Sequence, residues 1–341
     1  MDIITLLIIS SFLIIAIFKI KNEKNGFFDL DYTTTWKGIC SIIVIFVHIP
    51  PGYGNKIQSI IHSFGYVCVT LFFLFSGYGL KWSLENKKNY LDNFIINRMP
   101  SLLFPFITMN ILSTFVRIIL NQDVHNNVLL TFLGLNGFSF VHVLLLFYIS
   151  FYIIYNYVEV ANIPKDLIMY FVVIVYSSLG GFFDFGFGWH VEALGFLYGI
   201  VCCNFMKKID QAIVDRYILK TFFIFIISLF LGVSYLLFKS VEIYGNYLLR
   251  IFLGLSIIIL FLFVTRKVRI NNQFTKFLGK ISYEIFLSHG FIMMLISFVV
   301  VDFLEISIIS GVYISLTIFF TIIFSSILQY FNSRLINLIR A

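Results

Sequence analysis

Residues 218–238 read ILKTFFIFIISLFLGVSYLLF, twenty-one positions at which only Lys220 carries a charge. Nine residues further on, Leu248–Thr265 (LLRIFLGLSIIILFLFVT) repeats the pattern with Arg250 as its one charge. An α-helix rises 1.5 Å per residue, so about 20 apolar residues match the ~30 Å hydrocarbon core of a bilayer. Neither run alternates apolar with polar residues, which excludes the strands of a closed β-barrel. Working outward from this pair gives eleven such runs. The others lie near Ile3–Phe18, Trp36–Ile49, Ile60–Leu80, Pro100–Leu120, Phe140–Tyr157, Leu167–Phe183, Trp189–Phe205, Ile281–Val301 and Ile308–Phe331. Across 341 residues, 60% are apolar and 12% charged. Soluble domains are about 45–50% apolar and about 25% charged, and polar groups could not cover this much oily surface. The expected fold is all-α, a polytopic transmembrane helical bundle of about eleven spans.

The first run lacks a basic leading region, since Asp2 precedes it, and Lys19 follows without a small-residue cleavage site, so it reads as a retained helix. Placing the 24 Lys and Arg on alternating sides puts twenty on one side and four on the other, namely Lys56, Arg117, Lys239 and Arg250. Basic residues collect on the cytoplasmic side. A multi-pass cell-membrane protein with its amino terminus outside and its carboxyl terminus in the cytoplasm is therefore expected. The asymmetry accounts for the net charge of +7 without nucleic acid. All four cysteines fall inside apolar runs, which argues against a disulfide framework or zinc knuckle. Loops are short, no linker divides the chain, and about ten residues follow the last run, so a single membrane domain is expected.

Ionisable residues inside a bilayer are costly, which makes each a candidate for function. Lys37 and His48 are eleven residues apart, three helical turns to within about 20°, so both share one helix face roughly 16 Å apart. Either a snorkelling lysine and a structural histidine, or a cation and a titratable imidazole serving one site, would produce this spacing. Arg98, ahead of Pro100 and Pro105 in NRMPSLLFPF, is either a cytoplasmic anchor or a guanidinium fork for a phosphorylated ligand. Ser76-Gly77, within FFLFSGYGL (Phe72–Leu80), permits close helix packing or a kink. In WHVEALGFLYG, Trp189 suits a membrane interface, but Glu192 one turn deeper must face the bundle interior, as a histidine's partner or in a site. LGKISYEIFLSHGF carries His289 toward mid-membrane, on the same face as Ser282. His62, His142 and His190 join His48 toward the outer leaflet, and His125 in a loop has no assigned role. There is no Walker A loop, G-x-S-x-G elbow, HExxH or CxxC pair, so ATP-driven transport, classical serine hydrolysis and zinc catalysis lose support.

In order along the chain, these segments resemble the acyltransferase-3 family of integral-membrane O-acyltransferases, particularly its sugar O-acetylase-like members. WKGICSIIVIFVH is similar to the family's basic residue, ten residues, then histidine, with Lys37 where arginine is usual. Phe72, Phe73, Ser76 and Gly77 match FFxxSG. Arg98, Pro105 and Phe106 match R-x-x-R-x-x-x-P-Y, with Ser101 at the second basic position. HVLLLFY, WHVEALGFLYG and LGKISYEIFLSHGF are similar to three later segments, with Phe286 at a tyrosine position. The resemblance covers about Trp36–Phe331. It implies a ten-helix acyltransferase domain (36–341) preceded by an added helix and loop (1–35). It further implies transfer of an acetyl or other acyl group from cytosolic acyl-CoA, without a metal, to a hydroxyl of a surface glycan or lipid-linked saccharide. Lys37 and Arg98 would hold the donor's phosphates, and His48 would act as general base or carry the acyl group itself. Ser76, Glu192 and His289 would line the site. A polar cleft joining the Lys37 and His48 levels is expected. A proton-coupled transporter or flippase for a polar or lipid-linked solute would also suit buried His and Glu, as would a silent scaffold; the ordered motifs favour the transferase.

Overall fold

The computed structural model describes residues 7–11, 14, 28–122, 128–135, 139–159, 162–183, 189–268, 270, 272–304 and 309–340. Its regular structure is helical: α1 (Leu30–His48), α2 (Lys56–Phe64), α3 (Tyr66–Asn86), α4 (Phe94–Ile119), α5 (Val128–Phe132), α6 (Phe140–Tyr157), α7 (Lys165–Phe182) and α8 (Leu194–Val214). α9 (Tyr217–Phe238), α10 (Arg250–Lys267), α11 (Gln273–Lys280), α12 (Ser282–Ile296) and α13 (Ser310–Arg340) follow. Wider π-turns at Glu242–Leu249 and Ser297–Phe303 lead into α10 and extend α12.

Among the described residues, nine helical stretches are long and apolar enough to cross a membrane. The chain is thus an all-helical, multi-pass membrane bundle. Of the eleven expected runs, Ile3–Phe18 lies largely outside the described residues. The run at Trp189–Phe205 is not among the nine. Its helix begins only at Leu194, bends at Phe205 and continues through Lys207, Lys208 and Asp210. Another run starts earlier than hydropathy suggests. The Asp29 side chain accepts from the Tyr32 N–H (2.7 Å), capping α1 so that it begins at Leu30, six residues before Trp36.

Two seams of glycine hold the bundle. α8 lies along α3, where Gly195, Gly199 and Gly77 stand against the carbonyls of Thr70, Leu74 and Phe196. A Cβ at any of them would overlap the facing backbone, so the spacing Gly195-x-x-x-Gly199 is what lets these helices touch. The second seam crosses α1 and α11. A Cβ on Gly38 would stand 2.6 Å from the Gly279 nitrogen, and one on Gly279 would overlap the Thr34 carbonyl. Phe73, Phe147, Phe151 and Phe196 fill the interior, fully buried. α9 is the opposite case, with Phe230 70% exposed in the bare protein, a face suited to lipid.

Replacing Gly199 by valine should force α3 and α8 apart. Overpacking against side chains costs about 1–3 kcal/mol, and here the obstacle is backbone. We expect Gly199→Val to remove most of the monodisperse peak in fluorescence-detected size exclusion. Gly290→Ala, with open space around it, should elute like the parent. Equal profiles for both variants would show that the seam does not hold the fold.

Candidate functional site

α1 carries the residues around which the site is built. Lys37 precedes Gly38, so the glycine seam presses this turn of α1 against Gly279, and Lys37 and Lys280 flank the crossing. Both line a cavity of about 280 Å³ together with Arg98, Ser76, Tyr148 and Phe286. No carboxylate lines it. The Lys37 and Lys280 ammoniums have no hydrogen-bond or ion-pair partner among the described residues. Arg98 is held from behind, its Nε donating to Tyr90 Oη (2.9 Å) and Nη2 to Ser83 Oγ (3.2 Å), with the Tyr90 ring 5.5 Å from the guanidinium. Its Nη1 has no protein partner among the described residues. Ser101, on the same wall, accepts from Arg340 Nη2 (2.7 Å), which also donates to the Asn97 carbonyl. Ser76 Oγ donates back to the Phe72 carbonyl (2.9 Å), while Gly77 beside it makes the α3–α8 contact. The pair thus divides its roles.

Three turns along α1, His48 lines a second cavity of about 540 Å³ with His62, Tyr66, Trp189, Glu192, Lys239 and Arg250. His48 Nδ1 lies 2.9 Å from the Val44 carbonyl oxygen. A carbonyl only accepts, so in the neutral ring Nδ1 carries the hydrogen and Nε2 keeps the lone pair. His289 repeats the arrangement with the Ile285 carbonyl (3.2 Å), and its ring lies 4.7 Å from that of His48. The fold therefore brings two imidazoles together, each with Nε2 unused by its backbone bond. Glu192 is 2% exposed, and its partner is Arg250 rather than a histidine. The Arg250 guanidinium lies 4.7 Å from the Tyr66 ring centroid. His142 instead caps its own helix through Ser139, and His190 packs against Tyr247; neither lines either cavity.

The expected continuous cleft takes a different form. The two cavities share no lining residue. Phe72, Phe140 and Phe286 stand between them in mutual edge or tilted contact (4.9–6.4 Å between centroids). Phe140 also touches Trp189, and Phe286 touches His289, so one aromatic layer meets both levels. Phe72 of α3, Phe140 of α6 and Phe286 of α12 meet at this depth, and hydropathy gives no sign of which rings would meet.

Sequence reading passed over Lys280, Arg340 and Arg250 as ordinary flanking cations. Arg250 did leave a trace: it is one of only four cations on the sparse side. Arg340 left none, since 239 residues separate it from Ser101.

Fold and cavities together define a multi-pass membrane protein with an unpaired cationic chamber stacked on an imidazole-bearing one. The profile of the acyltransferase-3 family, described as an acyltransferase domain, matches residues 30–330, and the chain belongs to that family. The match begins where α1 begins. Neither the curated proteins nor the solved structures give a match. Family membership makes acyl transfer by a membrane protein the general activity of the chain.

Glu192 and Arg250 give a test of the second cavity's framework. Arg250→Met would leave a buried carboxylate unpaired. Loss of a fully buried pair's partner costs about 3–5 kcal/mol; Arg250 keeps 21% exposure, so the lower part of that range is expected. The melting temperature in detergent should fall, and Glu192→Gln added to Arg250→Met should recover most of it. A single variant that melts like the parent would remove the pair from the framework.

Proposed function

We propose that the chain is an O-acyltransferase, most simply an O-acetyltransferase, that moves an acyl group from cytosolic acyl-CoA to a hydroxyl of an envelope glycan or lipid-linked saccharide. The observation that carries this reading is the carboxylate-free chamber of Lys37, Arg98 and Lys280, with Lys37 on the same helix as His48. Coenzyme A is polyanionic, and three cations without an internal counter-ion suit its phosphates. Arg340 at Ser101 supplies a guanidinium where the family resemblance leads one to expect a basic residue. Sidedness follows from the cation count: the Lys37 level is cytoplasmic, the amino terminus outside and the carboxyl terminus inside. Contacts support it, because Arg340, on the cation-rich side, meets the Lys37 chamber, whereas Lys239 and Arg250 line the other. Eleven spans, with residues 1–35 preceding an acyltransferase domain of 36–341, complete the reading.

In this mechanism the phosphates stay with Lys37, Arg98 and Lys280 while the thin pantetheine arm passes the Phe72, Phe140 and Phe286 layer. An extended arm can bridge the roughly 16 Å of rise between Lys37 and His48. At the thioester, His48 Nε2 takes the acceptor hydroxyl's proton as its oxygen bonds to the carbonyl carbon. The C–S bond then breaks, and the coenzyme A thiolate leaves and is protonated. In the two-step variant, Nε2 first takes the acyl group as the coenzyme A thiolate leaves. The hydroxyl then attacks the acyl-imidazole, its proton passing to that thiolate as the C–N bond breaks. His289 lines this step beside His48. Glu192, neutralised by Arg250, offers its remaining oxygen to acceptor hydroxyls, and Ser76 lines the donor chamber.

One feature favours a transporter instead, namely two chambers separated by an apolar layer. Consumption of acetyl-CoA by purified protein in sealed vesicles, without solute movement, supports the transferase; solute movement without thioester cleavage sinks it.

His48→Ala should lower acyl transfer by about 10²–10⁴-fold, the usual contribution of a general base, without loss of membrane-embedded protein. Wild-type turnover in that variant would remove His48 from the chemistry. Arg98→Ala should raise KM for acyl-CoA more than KM for the acceptor, and Lys37→Arg should preserve donor use. Equal effects on both substrates would contradict a donor role.

A further inference from the structure

The His48 chamber carries more positive charge than its own framework uses. Among its lining residues, Lys239 and Arg250 are cationic and Glu192 is the one carboxylate. Arg250 Nη2 pairs with one oxygen of that carboxylate and balances its charge, and its Nη1 reaches toward Asn246 Oδ1 (3.4 Å). Lys239 is left over. Its ammonium reaches Ser63 Oγ at 3.4 Å and no acid among the described residues. Lys239 also closes the carboxyl end of α9, where the helix dipole favours a cation. That role alone does not require it to share a chamber with two imidazoles and an ion pair. Lys239 and Arg250, at the two ends of the connection from α9 to α10, are two of the four cations counted on this side, and both line the chamber.

A second observation concerns Trp189. Its φ of +65° is in the left-handed region, which costs a bulky residue on the order of 1 kcal/mol. There the indole lines the chamber and sets its edge against Phe140 (6.4 Å between centroids). Tyr66 and Tyr235 supply further ring surface on the same walls. Aromatic faces with a few placed polar groups suit the apolar face and hydroxyl rim of a sugar.

We infer that the acceptor bound here is an acidic saccharide, one bearing a carboxylate or phosphate that Lys239 binds while its sugar ring packs on Trp189. The inference rests on the acyltransferase reading for the chamber's use, and adds the charge of the substrate. Lys239 is exposed and so solvated in the free protein. A saccharide seated on Trp189 would displace that water, and an acidic one replaces it with a charge-assisted hydrogen bond that a neutral one does not offer.

Full-length protein in detergent is titrated with three probes. They are an oligogalacturonate, the same oligosaccharide with its carboxyls reduced to alcohols, and a glycerol-phosphate oligomer, with coenzyme A binding measured on each preparation. We expect at least one acidic probe to bind about tenfold tighter than the neutral one, the size of one charge-assisted hydrogen bond; the tighter acid names the anion. Lys239→Gln should erase that preference while leaving coenzyme A binding unchanged. Equal binding of acidic and neutral probes, or an equal loss for both in Lys239→Gln, overturns the inference while the acyltransferase reading stands. Wild-type protein that fails to bind coenzyme A overturns that reading and this one with it.

Discussion

Thr34, Gly38 and Gly279 meet backbone to backbone, and both levels of the site depend on that contact. α1 carries Lys37 and His48; α11 and α12 carry Lys280 and His289. Once the crossing fixes how the two strips of helix lie together, the lysines face one chamber and the imidazoles approach to 4.7 Å. A side chain at the crossing would move both pairs at once. The Lys37 level and the His48 level are therefore mechanically one unit, built from main-chain contact that no rotamer change can loosen.

Elsewhere the bundle treats its buried cations differently. Lys81, 8% exposed, is bound by Asp166 (2.9 Å) and Glu85 (3.2 Å), with Asn204 and Tyr155 completing the shell around Asp166. Arg250 has Glu192, and Arg266 has Asp210. An unpaired charge in a low-dielectric interior is expensive, and here the chain supplies the partner each time. Lys37, half-buried, and Lys280, exposed at the rim, line their chamber without such a partner among the described residues.

Legibility in the sequence followed the range of the interaction. Most spans were readable because burial in lipid acts on every residue of a run. The start of α1 was not, since Asp29 extends the helix by a local hydrogen bond that hydropathy ignores. The Lys37–His48 relation was readable because one helix connects them, and its period fixes their common face. Arg250 on α10 with Glu192 in the turn before α8 joins residues 58 apart, and Arg340 with Ser101 joins residues 239 apart. Such pairs depend on how helices dock, which periodicity within any one helix does not encode. Ser101 looked like a loss in the sequence, yet the structure brings a guanidinium to it from the far end of the chain.

The phenylalanine layer has an electrical consequence. Along α3, Val69 lines one chamber and Phe72 the other, a rise of only about 4.5 Å. If water fills both chambers, nearly all of the membrane potential drops across this thin sheet of rings. Moving one elementary charge through it would then involve about 2.3 kcal/mol per 100 mV. An acyl group is uncharged, and in the mechanism proposed above a coenzyme whose phosphates remain beside Lys37 would send only its neutral arm through. The layer can thus act as a dielectric that insulates the cell from leakage while passing a chemical group, and the transfer step itself would draw no current.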